Sequence, residues 1–262
     1  MISARNVTLR YGRKTILENL NFSAQPGVLT AIVGPNGSGK TSLLKTLTGE
    51  TPCDGEITLA GHDIATTPAW QLASIRAVLP QSTPMSFPFQ AIEVVRLGLG
   101  QGVSADAHLP DRALARVGLA GYAQRFYQEL SGGEQQRVQL ARVLCQVWDP
   151  VIDAQPRWML LDEPVSSLDI GHQLEVMRIA RDYADAGGGV VAVMHDLNLS
   201  AMFADQIVLM KSGRIIADGR TDLVMTDAHL SEAYNCAVRT RTPPPSSDWY
   251  LLPQAATQAD AG

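Results

Sequence analysis

Two glycine-flanked stretches and one pair of adjacent carboxylates carry most of the chemistry that this 262-residue sequence can perform. The run Gly34-Pro35-Asn36-Gly37-Ser38-Gly39-Lys40-Thr41 matches the pattern GxxxxGK[ST]. Glycines at these spacings let the backbone curl until its N–H groups face inward, which makes a nest for an anion. A helix starting just beyond adds the partial positive charge of its N-terminus. Lys40 can then reach the outer phosphates of a nucleotide and the Thr41 hydroxyl can ligate Mg²⁺, with Ser42 next in the same cradle. By itself this segment says that a nucleoside triphosphate is bound. It leaves kinase, GTPase and transport ATPase open.

The second feature is Trp158-Met159-Leu160-Leu161-Asp162-Glu163, an apolar strand pattern ending in two carboxylates. Asp162 is placed to hold Mg²⁺, directly or through a water. Side chains alternate along a strand, so Glu163 faces differently and can point to the γ-phosphate side, where it would orient and deprotonate a water. The third is Leu130-Ser131-Gly132-Gly133-Glu134-Gln135. Ser131 reads as the cap of the helix EQQRVQLARVL, and the paired glycines leave N–H groups exposed at its start. That makes a second anion site in a chain that already has one. Two copies packed head to tail would set Ser131 and Gly133 of one against the γ-phosphate held by Lys40 of the other, and two-fold symmetry makes two such composite sites.

These residues need a scaffold that the remaining pattern supplies. VTLRY reads as a strand, ILENL as a short stretch and NFSAQPG as a turn, all before LTAIVG, a buried strand running into the glycine loop. SLLKTLTG has helical spacing, and residues 55–64, GEITLAGHDI, read as a hairpin with Gly61 at its turn. From about Gln81 the character changes: STPMSFPFQ is a Pro-rich connection, and AIEVVRLGL, DRALARVGL and GEQQRVQLARVLCQVW are helical in pattern. Strand character returns at RWMLLD, GGVVAVMHD and QIVLMKSG. The expected architecture is therefore a mostly parallel sheet interrupted by a helical insert. The tail from Thr242 is Pro-rich and then polar, and its last ten or so residues are expected to be loose.

Bulk properties exclude several function classes. A net charge of −5 and a pI near 5.5 carry no basic footprint for a nucleic acid. No apolar run reaches the length of a membrane span, and MISARNVTLRYG lacks the apolar core of a signal peptide. Cys53, Cys145 and Cys236 are scattered and read as free thiols in a reducing cytosol. Any membrane role must come through a partner. His62, His108, His172 and His229 show no metal spacing and receive no role.

LSGGEQQRV, taken with the other motifs, resembles the signature of the ATP-binding cassette (ABC) transporter ATPases, and the resemblance covers residues 1 to about 240. It implies a P-loop NTPase of the α/β class: a RecA-like core over 1–83 and 158–241 with an N-terminal antiparallel β subdomain, a helical subdomain over 84–157 and a tail over 242–262. It also implies that Tyr11 stacks on adenine, and that Gln81 senses the γ-phosphate and Mg²⁺ and meets a membrane subunit. Ser166-Ser167-Leu168-Asp169 would communicate across the dimer, and His195 would contact the γ-phosphate. Val165 stands where many members carry Thr, a position not expected to touch phosphate. WDPVIDAQPR (148–157) lengthens the link before the Asp162 strand and reads as a surface loop.

Cassette proteins of DNA repair insert long coiled coils between these motifs, but only 90 residues separate Lys40 from Ser131 here, without sustained heptads. A single cassette without a membrane segment resembles bacterial importers that use separate permeases. The segments AVLPQSTPMSFPFQAIEVVRLG and MHDLNLSAMFADQIVLMKSGRIIADG are similar to the iron-chelate, haem and vitamin B12 group. LARVLCQVW, WDPVIDAQPR and RWMLLDEP are together similar to the haem-import members of that group, a resemblance that implies haem as cargo, with a ferric siderophore or vitamin B12 as the alternative. The implied partners are a second copy of the chain, a permease dimer and a periplasmic haem-binding protein, at the cytoplasmic face of the bacterial inner membrane.

Overall fold

The computed structural model describes residues 1–82, 85, 87–100 and 106–243. In chain order the elements are β1 (Ile2–Tyr11), β2 (Lys14–Ala24), β3 (Leu29–Val33), α1 (Lys40–Leu47), β4 (Asp54–Leu59), β5 (His62–Asp63), α2 (Ala69–Ile75) and β6 (Arg76–Leu79). Next come α3 (Ala91–Arg96), α4 (Leu109–Arg116), α5 (Gly132–Gln146), β7 (Val151–Ile152), β8 (Gln155–Pro156) and β9 (Trp158–Asp162). The chain continues with α6 (Ile170–Asp185), β10 (Gly189–Val193), α7 (Leu197–Phe203), β11 (Gln206–Lys211), β12 (Arg214–Arg220), α8 (Thr221–Val224) and α9 (Asp227–Tyr234).

The central sheet has six strands in the order β12-β11-β3-β10-β9-β6. All its pairings are parallel except that of β11 with β12. Strands β3, β9 and β10 are buried at every position, as strands covered on both faces must be. An antiparallel sheet, β2-β1-β4-β5, is built from the N-terminal segments. Its inward residues, among them Ile2, Leu9, Leu17 and Phe22, share one apolar cluster with Leu43 and Leu47 of α1 and with Ile32, Leu160 and Val193 of the central sheet. The other face of that sheet packs with α3, α4, α5 and α6 in a second cluster holding Leu29, Leu79, Leu114, Leu140, Leu161 and Met177. The parallel order places the ends of β3, β6, β9 and β10 along one edge, where ligands of open α/β sheets sit.

Two sequence expectations change. The NFSA of the expected turn is the end of β2: Phe22 pairs with Ala4 and Ala24 with Ile2, and both side chains are buried. The polar residues Asn21 and Ser23, which alternate with them, face out, which is strand alternation. The turn itself is confined to Gln25-Pro26-Gly27, with Gly27 at φ 76. Likewise WDPVIDAQPR is a hairpin, β7 with β8, turned at Asp153 and Ala154, both with positive φ. It ends on Arg157, which is buried and donates from its backbone N to Pro150 O at 2.8 Å. The expected hairpin at 55–64 is present as β4–β5, turned at Ala60 and Gly61. The expected boundary between residues 83 and 84 lies outside the described residues, as does the end of the tail from residue 244.

Candidate functional site

The glycine loop begins where β3 ends. Gly34 has φ 147, and a Cβ there would stand 2.2 Å from Met210 O, so only glycine lets the loop lie against β11. Gly39, at φ 103, caps α1, and a Cβ on it would meet Leu17 Cδ2 at 2.9 Å. Inside the loop the Lys40 ammonium donates to Gly34 O at 2.9 Å and Pro35 O at 3.2 Å. Burial lowers its pKa, against the opposing pull of Glu163 and Asp162. The Ser38 hydroxyl is buried without a hydrogen-bond partner.

Opposite the cradle stands the end of β9. Thr41 Oγ1 donates to Asp162 Oδ1 at 3.1 Å, which joins α1 to β9. Asp162 is buried, and burial pushes its carboxyl pKa up, the Thr41 bond working the other way and the charge of Glu163 adding to the rise. Glu163 has φ 53, a left-handed conformation that is rare for a residue with a side chain. Its N–H donates to Val193 O at 3.1 Å. Beyond β10 the chain bends at His195, before Asp196 caps α7 by accepting from Asn198 N and Leu199 N. The bend brings His195 Nε2 to 2.5 Å from Glu163 Oε1. Since Leu79 pairs with Leu161, β6 leads Gln81 out beside the same carboxylates.

These residues line one cleft of about 690 Å³, within the range of small-ligand sites. Asn36, Gly37, Gly39, Lys40, Thr41, Ser42, Gln81, Glu163 and His195 face it. Gly34, Pro35 and Ser38 form the loop behind these residues, and Asp162 reaches it through Thr41. A magnesium nucleotide fits this donor set: an orphaned hydroxyl, an ammonium hydrogen-bonded to loop carbonyls, a glycine cradle, and a hydroxyl–carboxylate pair. Among the described residues no group of three or more His, Cys, Asp or Glu could cage a metal, so an ion here must share its shell with phosphate oxygens and water.

Other expected residues are elsewhere. Ser131 caps α5 by a reciprocal box: its N–H and hydroxyl both donate to Glu134 Oε2 at 2.8 Å, and its hydroxyl accepts from Glu134 N at 3.3 Å. Ser131 and Gly132 are exposed, and the space a Cβ would take on Gly132 is open. Asp169 caps α6 through His172 N at 3.0 Å and pairs with His172 Nδ1. The His172 backbone N–H and the ring bond hold its carboxyl below the usual range. Neither Ser131, Gly132, Gly133 nor Asp169 lines the cleft of its own chain, nor does Tyr11, which is 54% exposed at the end of β1. Cleft residues missed in the sequence are Lys14 and Ile16 of β2. Lys14 pairs across the hairpin with Tyr11, and that pairing was the available signal.

Among the described residues no helix is long and apolar enough to cross a membrane. The family model described as ABC transporter matches residues 17–166. A protein of Roseobacter denitrificans named hemin import ATP-binding protein HmuV is 59% identical over 258 residues, covering 98% of this chain and 99% of its own. A protein of the same name from Jannaschia sp. is 60% identical, covering 98% and 95%. Among solved structures, the ATP-binding subunit of an ABC transporter superposes with a TM-score of 0.75 at 20% identity, covering 90% of this chain and 94% of that one.

Proposed function

The chain belongs to the ABC transporter family, and from that premise we propose that it is the ATP-hydrolysing subunit of an importer that carries haem through a separate permease. The observation that carries the cargo is the near-full-length identity to hemin import proteins, since this subunit need not touch what is transported. The reading treats the chain as one ATPase unit, with core segments 1–83 and 158–241, helical segment 84–157 and a tail from 242.

ATP is the substrate of the cleft. Gly34 to Ser42 cradle its phosphates, with Lys40 turning from the loop carbonyls to the β- and γ-phosphates, and Tyr11 meets the adenine. Thr41, Asp162 and Gln81 would hold Mg²⁺, which supplies charge neutralisation at the phosphate oxygens. Glu163 orients the water. The water oxygen bonds to the γ-phosphorus as the bond to the β-phosphate oxygen breaks and ADP leaves with that electron pair, and the water proton passes to the Glu163 carboxylate. His195, paired with Glu163, fixes that carboxylate and reaches the γ-phosphate. Ser131 and Gly133 of a second copy close the site, with Asp169 at the same interface. Most of the rate then comes from positioning and electrostatics.

Binding closes the dimer and hydrolysis reopens it, while the Gln81 segment passes the motion to a permease dimer. A periplasmic haem-binding protein would deliver the cargo, and the subunit would lie on the cytoplasmic face of the inner membrane. No nucleic acid takes part. The test is growth of a host lacking the gene, with haem or a ferric siderophore as sole iron source. Loss on haem alone, restored by wild type and not by Glu163→Gln, is expected. Normal growth on haem, in a host with no second haem importer, would overturn the cargo.

A further inference from the structure

The left-handed backbone of Glu163 is held from three directions. Its N–H donates to Val193 O on β10, its carbonyl accepts from Ser166 N at 3.3 Å, and the same carbonyl accepts from Gln136 Nε2 at 2.9 Å. The other end of the Gln136 amide accepts from Ser167 N at 3.3 Å. One side chain on α5 thus clasps both ends of the turn that follows β9. Gln136 lies on the turn of α5 just behind the Ser131 cap, on the face that meets the Ser166–Asp169 segment. A Cβ on Gly133 would stand 3.1 Å from Ser167 O and 3.2 Å from Leu168 Cδ2, so a glycine there brings α5 close enough for the clasp.

We propose that Gln136 is a positioning residue for hydrolysis, which sets the Glu163 backbone from the helix whose N-terminus would meet the partner's ATP. The proposal rests on the ATPase reading. It adds that seating α5 against a partner's phosphate bears directly on the water-orienting carboxylate of the same chain. A left-handed non-glycine residue persists only where its surroundings over-determine it, and this amide bonds to its carbonyl. Without the clasp, Glu163 relaxes and its carboxylate leaves its place beside His195. Nucleotide contacts of the glycine loop are untouched.

The experiment compares steady-state ATPase activity and ATP-dependent dimerisation of the full chain as wild type, Gln136→Ala and Gln136→Glu. The Glu variant keeps the side-chain length and an acceptor for Ser167 N but loses the donor to Glu163 O. Both variants are expected to lose about tenfold in kcat with KM changed less than about twofold. Both should still form the ATP-bound dimer, which persists longer because turnover is slow. Wild-type kcat in Gln136→Glu would overturn the assignment. So would loss of the dimer together with kcat in that variant, because a residue that only shapes α5 would behave that way. Absence of ATP hydrolysis in the wild-type chain would overturn the ATPase reading itself.

Discussion

Asp162 shows how a site residue is kept at a cost to the fold. It is 3% exposed, accepts one bond from Thr41, and burial outweighs that bond in pushing its carboxyl pKa up. The folded chain therefore holds a proton on this group more readily than the unfolded chain. Stability from this group falls as pH rises from the ordinary carboxylate range through the raised value, above which the full penalty applies. Asp162→Asn keeps the acceptor for Thr41 and removes the charge. Its nucleotide-free melting temperature should rise, by about 2–4 °C for each kcal/mol recovered. The further rise on adding MgATP should shrink or vanish, and calorimetry of both proteins with and without nucleotide checks this. An unchanged nucleotide response would remove Asp162 from the metal site. Lys40, Thr41, Asp162 and Glu163 were legible because each sits in a local pattern whose neighbours fix its setting. The contact of Glu163 with His195 was not, since it joins residues 32 apart and depends on a positive φ that the residue type does not announce.

Elements decide what each anion site can reach. α1 starts inside the cleft, whereas α5 starts at an exposed cap with open space beside Gly132. An exposed helix start of this kind, outside a cleft that already has its own phosphate donors, fits a contact made with another molecule. Ser131→Arg fills that space with a long cation and leaves the glycine loop alone. ATPase activity should fall on the order of 100-fold, the scale of a lost oxyanion donor. ATP affinity of the single chain should change less than about twofold, as read by nucleotide titration. Loss of binding as well would mean that Ser131 acts within its own chain. Helices α2 and α6 and strand β6 were not singled out in the sequence, whereas α1, α3, α4 and α5 and the strands β3, β9, β10 and β11 were readable from their apolar spacing. The end of β2 and the β7–β8 hairpin were not: Asn21 and Pro26 suggested a turn too early, and Asp153-Ala154 lacks the glycine that usually marks a two-residue turn.

At the scale of the whole molecule, one chain presents a cleft lined by Lys40, Thr41, Glu163 and His195, and places Ser131, Gly133 and Asp169 outside it. A head-to-tail pair accounts for both facts with the same residues, and two-fold symmetry doubles the site at no further demand on the sequence. The sequence carries a net charge of −5, and among the described residues no helix is long and apolar enough to cross a membrane. The most direct measurement is the mass of Glu163→Gln with and without saturating MgATP, by gel filtration with light scattering. The account predicts a shift from 28.2 kDa to twice that mass on adding ATP, reversed when nucleotide is removed. A monomer that binds ATP and stays at 28.2 kDa would contradict the composite site.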